Sequence, residues 1–214
     1  MSNRIQFWDR ISGNYDKQVE KIFSSAYKKT IAYTIQHLKQ TDTVLDVGCG
    51  TGITTVEIAN YVKEIYALDL SDKMLEIAKR KAFEKGISNI TFYQKNMFDE
   101  DLESKKYDVI LAFNILCYIQ EDIDFIERVY DLLNDGGIFI SVTDCLGEKE
   151  TIFVKLKKIL GKIGMLPKMN IYTMLELKNK VHDCNFEILH SENLYTTPPN
   201  YYIIGKKLAK PKSI

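Results

Sequence analysis

The chain reads Val44-Leu45-Asp46-Val47-Gly48-Cys49-Gly50-Thr51-Gly52, and Asp69 follows Gly50 by nineteen positions. An apolar run ends in an acid, a glycine-rich loop follows, and a second apolar run ends in another acid. Glycine lets a backbone turn sharply and come close to a ligand. A helix opening behind such a loop points unpaired N–H groups at it. A carboxylate closing the next strand can accept both hydroxyls of a ribose. The spacing therefore predicts a pocket for an adenosine-containing cofactor.

Glycine spacing narrows the choice. Dinucleotide sites use Gly-x-Gly-x-x-Gly, in which the third glycine permits close helix–strand packing. Here the third position is Ile53. Asp46 would also repel a pyrophosphate, so a cationic, phosphate-free ligand fits better. The segment resembles motif I of the class I S-adenosylmethionine-dependent methyltransferases. That resemblance implies S-adenosylmethionine as cofactor and sets Gly48 and Gly50 against its methionine half, with Cys49 between them in the same loop. It makes Asp46 the residue that orients the loop and favours the ammonium and sulfonium. It gives the ribose to Asp69 and the adenine face to Leu70 and Met74. The family's acid after the third strand is replaced by Asn96, whose amide carbonyl can accept the same hydrogen bond. The Met97 N–H would serve a ring nitrogen. Phe113 ends the fourth strand at the same edge, and Tyr15, in a Tyr15-Asp16 pair like the family's opening, would cover the pocket.

Other positions depart from the family. Many small-molecule members carry histidines where this chain has Leu116-Cys117-Tyr118. A base-assisted mechanism is thereby in doubt. Amino methyltransferases of nucleic-acid bases carry [Asp/Asn]-Pro-Pro-[Tyr/Phe] where this chain has Ala112-Phe113-Asn114-Ile115, which argues against that class. Methyl transfer is a direct displacement at an activated sulfonium, so alignment and exclusion of water matter more than a base. Tyr15, Tyr118 and Asp144 are the candidates near the acceptor, and an ordinary structural role competes at each.

The elements that must position these residues follow from periodicity. Helix is expected over 16–38, 51–61, from Ser71 to a Gly86 stop, and over 122–133 and 172–181. Strands are expected at 43–47, 65–69, 90–95, 108–113 and 138–143. Two more, at 186–194 and 201–207, are joined too tightly for anything but antiparallel pairing. The alternation implies an α/β fold with a doubly wound, mostly parallel sheet. With the resemblance, it becomes seven-stranded with a terminal antiparallel hairpin. One domain is expected: a helical cap (1–40), a cofactor-binding core (41–145), a lid insertion (146–172) and a terminal helix and hairpin (173–207).

Bulk properties exclude several classes. There are 29 basic and 29 acidic residues, so no global charge points to nucleic acid. No run reaches membrane-span length, and the N-terminus lacks a signal-peptide pattern. Four scattered cysteines without metal-ligand spacing suit a reducing cytoplasm. The segment from Thr151 to Lys168 is amphipathic, carries five lysines and no acid. It reads first as a lid helix over the acceptor pocket. Contact with an anionic membrane surface or a phosphate-bearing substrate are the competing readings. The leading function is methyl transfer to a small-molecule acceptor of apolar or aromatic character. The alternative is a non-catalytic S-adenosylmethionine-binding sensor or partner subunit. Oligomeric state is not legible.

Overall fold

The computed structural model describes residues 2–209. Five parallel strands form first: β1 (Thr43–Val47), β2 (Glu64–Asp69), β3 (Ile90–Gln94), β4 (Tyr107–Phe113) and β5 (Leu133–Asp144). Then β6 (Phe186–Thr196) and β7 (Pro199–Lys207) pair antiparallel with each other, and β7 pairs antiparallel with β5. The sheet order is β3-β2-β1-β4-β5-β7-β6. The expected mostly parallel, seven-stranded α/β sheet with its terminal hairpin is what forms. Strand β1 has β2 on one side and β4 on the other, so the winding reverses there. The crevice at that switch point lies beyond Val47, Asp69 and Phe113, where such sheets bind ligands.

The core explains why the strands hold. Val109, Ile110, Leu111 and Ala112 of β4 are fully buried. A continuous apolar run survives only where helices cover both faces, and each large aliphatic side chain so buried contributes about 1.5–3 kcal/mol. On one face sit Phe125, Ile126 and Val129 of α4 (Asp122–Leu132); on the other sit Ile58 and Leu75. Within β5, Asn134–Gly137 bulge out, because Tyr107 pairs with Leu133 and Val109 with Ile138. The expected turn at 134–137 is therefore an excursion within one strand, held by Asn134 Nδ2 donating to Asp108 Oδ1 at 2.8 Å.

Three helices differ from expectation. Helix α1 spans Ser2–Ile35, starting well before Asp16 and running through Gly13. A glycine inside a helix costs about 1 kcal/mol; several long-range anchors described below offset it. Helix α2 is only Thr55–Ile58, followed by a 3-10 turn at Ala59–Tyr61. Thr54 sits in helical conformation without a side-chain cap bond. The residues before it belong to a loop in which Gly48, Gly50 and Gly52 all take positive φ. Gly52 is also the close-packing glycine: a Cβ there would lie 3.0 Å from Ala78 Cβ. Helix α3 (Asp72–Glu84) starts as expected, with the Ser71 hydroxyl accepting from Met74 N–H at 3.2 Å.

The third difference is α5 (Ile152–Lys162), capped by Thr151 and preceding α6 (Met174–Asp183). Of the apolar stripe expected to close over the acceptor, Leu160 is half-buried and the Phe153 side chain lies outside the described residues. Val154 is the buried position, and Ile152, Leu156, Ile159 and Ile163 are exposed. The reason is register: the helix docks through the face that carries Val154 and Gly161. No helix among the described residues is long and apolar enough to cross a membrane.

Candidate active site

The glycine loop is held to the end of β2 by its own backbone. Gly48 and Cys49 both donate N–H to the Leu68 carbonyl, at 2.7 and 2.9 Å. Gly50 donates to Asp69 Oδ2 at 2.9 Å, and Ser71 N–H reaches Asp69 Oδ1 at 2.8 Å. Both carboxylate oxygens are thus fixed, and each retains lone-pair capacity toward the crevice. Burial pushes the Asp69 carboxyl up, while the Ser71, Gly50 and Leu70 N–H groups pull it back. Because the N–H groups of residues 48, 49 and 50 are engaged, the loop does not offer them to a phosphate. That donor set suits a cationic, hydroxyl-bearing ligand.

Nine of the eleven residues assigned to the cofactor line one cavity: Tyr15, Gly48, Gly50, Asp69, Leu70, Met74, Asn96, Met97 and Phe113; of the acceptor candidates, Tyr118 joins them and Asp144 does not. A Cβ on Gly48 would stand 2.3 Å from Ile115 Cδ1, so only glycine leaves that wall open. Asn96 lines the cavity, but its side-chain carbonyl already accepts from Phe98 N–H at 3.2 Å. One lone pair is left for a ligand amino group.

Two of the expected cofactor residues fall outside the lining. Asp46 is buried behind the loop, where its Oδ2 accepts from the Thr55 hydroxyl at 2.6 Å. Burial raises its pKa to about 7; the Thr55 bond opposes the shift and the Asp69 charge adds to it. Asp46 therefore faces Thr55 behind the loop rather than the cavity, and burial favours its protonated form. Cys49 points into the core with Val44, Ile58 and Leu75. The left-handed turns at Gly48 and Gly50 on either side of it accompany this placement, and both glycines line the cavity while Cys49 does not.

Helix α1 supplies what sequence reasoning passed over. Arg4, Ile5 and Trp8 line the same cavity, together with Ile115, Tyr118, Ile119 and Phe125. Arg4 donates to the Tyr118 carbonyl at 2.9 Å. Trp8 packs edge to face on both Tyr118 and Tyr15. The Ser71 hydroxyl donates to Asp9, the Thr51 hydroxyl to Asp16 at 2.6 Å, and Lys81 pairs with Asp16. These anchors carry the helix across the ends of β1, β2 and β4. The signal was present in Phe7-Trp8-Asp9-Arg10, which precedes the Tyr15-Asp16 pair.

A polar chain backs the acceptor side. Asn114, just after β4, sits at φ 57°, a left-handed conformation that asparagine tolerates. Asn200 Nδ2 donates to Asn114 Oδ1 at 2.9 Å and to Asp144 Oδ1 at 2.8 Å. Asn114 Nδ2 donates to Tyr27 Oη at 3.3 Å, and Tyr27 and Tyr15 hydroxyls meet at 3.1 Å. Burial holds the Tyr15 and Tyr118 hydroxyls well above the usual tyrosine range. Both are donors, not bases, at neutral pH. Burial also lifts Asp144, against the Asn200 bond and the Lys157 charge. Of the histidines, His37, His182 and His190 all lie outside the cavity lining.

A family model described as a methyltransferase domain matches residues 38–197. The chain belongs to that family. Its members are class I enzymes in fold, and the family's cofactor is S-adenosylmethionine. Among curated relatives, ribosomal protein L11 methyltransferase of Bacillus pumilus is 38% identical over 131 residues, covering 60% of this chain and 39% of that protein. Demethylmenaquinone methyltransferase of Lactococcus lactis is 28% identical over 145 residues, covering 65% of this chain and 58% of the relative. The chain thus spans well under two thirds of either. Among solved structures, geranyl diphosphate C-methyltransferase from Streptomyces coelicolor, in complex with S-adenosyl-L-homocysteine, superposes with TM-score 0.70 at 16% identity. That match covers 91% of this chain and 84% of that one. The likeness establishes the methyltransferase fold, and β1–loop–β2 is the part of it that builds the cavity floor.

Proposed function

We propose that this methyltransferase-family chain moves the methyl group of S-adenosylmethionine to a small acceptor of apolar or aromatic character. The observation that carries the reading is Asp69, clamped by two backbone N–H groups at the cavity edge with lone pairs left for two ribose hydroxyls. Leu70 and Met74 form the adenine face, the Asn96 carbonyl accepts the adenine amino group, and the Met97 N–H serves a ring nitrogen. Gly48 and Gly50 meet the methionine half, with Asp46 bracing the loop from behind. Phe113 closes the edge of the fourth strand, and Tyr15 covers the pocket.

When bound, the cofactor supplies an activated sulfonium methyl. The protein's part is alignment and exclusion of water. Trp8, Ile115, Tyr118 and Ile119 give the space aromatic and aliphatic surface beside Arg4, which the Tyr118 carbonyl holds, and that surface favours an apolar or aromatic acceptor. The relative named for demethylmenaquinone supports a small apolar acceptor, whereas the one named for ribosomal protein L11 points to a protein. A cavity enclosed by α1 favours the former.

The test is transfer of label from methyl-labelled S-adenosylmethionine into a metabolite extract, run beside Asp69→Ala. Label in small organic-extractable products, lost in the variant, supports the reading. Label only in protein overturns the acceptor class. Tight cofactor binding without label in any fraction favours the non-catalytic binder instead.

A further inference from the structure

Helix α5 leaves the carboxyl edge of the sheet eight residues after Asp144, at the edge where the cavity opens. At 100° per residue, Ile152, Leu156, Ile159 and Ile163 fall within an arc of about 60°. In the structure these side chains are 87%, 50%, 56% and 62% exposed, and Met165 beyond the helix is 62% exposed. An isolated apolar side chain on a surface is ordinary; a continuous stripe on one helix face marks an interaction site.

Charge says what would cover it. Residues 151–168 hold five lysines and no acid. Lys155 and Lys162 flank the stripe along one side. A groove beneath the helix is lined by Lys157, Lys158, Lys162 and Lys168 together with Asp122 and Glu176. The acids nearby are engaged with the protein itself. Asp122 accepts from Lys180 at 3.3 Å and from the Tyr172 hydroxyl at 2.6 Å. Glu176 closes the capping box of α6 with Thr173, and Glu148 accepts from Met174 N–H at 2.6 Å. Glu150 sits at 3.8 and 3.9 Å from Lys155 and Lys158, at the start of the helix only. Any partner that buries the stripe must also meet the charge of Lys155 and Lys162 beside it, on a segment that carries no acid. An anionic lipid surface satisfies both: acyl chains take the stripe and headgroup phosphates take the lysines, whose long stems reach past the apolar surface.

We propose that α5 seats this chain on anionic bilayers, its apolar stripe entering the interface and its lysines meeting the lipid phosphates. The geometry rests on the helix face alone and holds for any methyl acceptor.

The test is co-sedimentation of the full chain with vesicles of phosphatidylcholine alone and of phosphatidylcholine with about one-third phosphatidylglycerol. Binding is expected only to the anionic vesicles, weakening as salt rises. Ile159→Asp should lower partitioning by at least about tenfold. Lys155→Ala with Lys162→Ala should lower it about fivefold per lysine. Affinity for S-adenosylhomocysteine, measured by calorimetry on each variant, should stay at the wild-type value, showing that the fold and cavity are intact. Three results overturn the proposal: no binding to anionic vesicles at low salt, binding that the α5 variants leave unchanged, or a wild-type dimer in solution that Ile159→Asp dissociates. The last would assign the stripe to a second copy of the chain.

Discussion

Trp8 meets Tyr118 edge to face, with ring centroids 5.2 Å apart. The contact joins the first turns of α1 to the segment after β4, two parts of the chain more than a hundred residues apart. Arg4 reinforces it through the Tyr118 carbonyl. All three line the cavity that Asp69 also lines.

Trp8→Ala should open that cavity. An aromatic pair of this geometry is worth about 0.5–1.5 kcal/mol beyond its buried area. Affinity for S-adenosylhomocysteine should fall roughly two- to tenfold, and Trp8→Phe should recover part of it. Calorimetry with both variants checks this. Equal affinity in Trp8→Ala and wild type would remove α1 from the binding site.

Asp69→Ala should weaken the cofactor far more. Each hydroxyl bonded to the carboxylate contributes roughly 1.5–3 kcal/mol. The variant also releases Gly50 and Ser71, which Asp69 now holds. Titration with S-adenosylhomocysteine reads the loss, and unchanged affinity would refute the ribose assignment.

Asp46 links stability to pH. Its pKa is raised from an ordinary carboxylate value to about 7, mainly by burial. A carboxyl whose folded pKa exceeds its unfolded one binds more protons when folded. Its contribution is therefore full at pH below about 4 and is lost as pH rises through about 7. Across that window the loss is of order 4 kcal/mol. Urea midpoints at pH 5 and pH 8 should differ in this direction, and Asp46→Asn should flatten the difference. An equal pH slope in Asp46→Asn would show that another group carries it.

Gly48→Ala should destabilise for two separable reasons. The new Cβ meets Ile115 Cδ1 at 2.3 Å, and the backbone sits at φ 73°. The left-handed conformation alone costs an alanine about 1–2 kcal/mol. Pairing the change with Ile115→Ala should relieve the clash and leave the backbone cost. Urea denaturation of the single and double variants resolves the two parts. A double variant no less stable than Ile115→Ala alone would show that the φ carries no penalty.

Much of this molecule follows from short stretches of sequence. Runs such as Val109–Ala112 are too apolar to be anything but a covered strand. Ser71 caps α3 through contacts three residues away. The glycine loop and Asp69 are tied by bonds between adjacent strand ends, so their spacing alone predicts the pocket. These features depend on local chemistry, and local chemistry is written in order along the chain.

Other features depend on residues that meet only after folding. Helix α1 continues through Gly13 because Asp9, Asp16 and Arg4 find partners at positions 71, 51 and 118. Asp46 and Cys49 are turned from the cavity by how the loop packs on β2 and the core. The stripe on α5 is legible as amphipathic, yet which face docks is decided by Val154 fitting inward. Periodicity states that a face exists; only the neighbours across space determine which way it points.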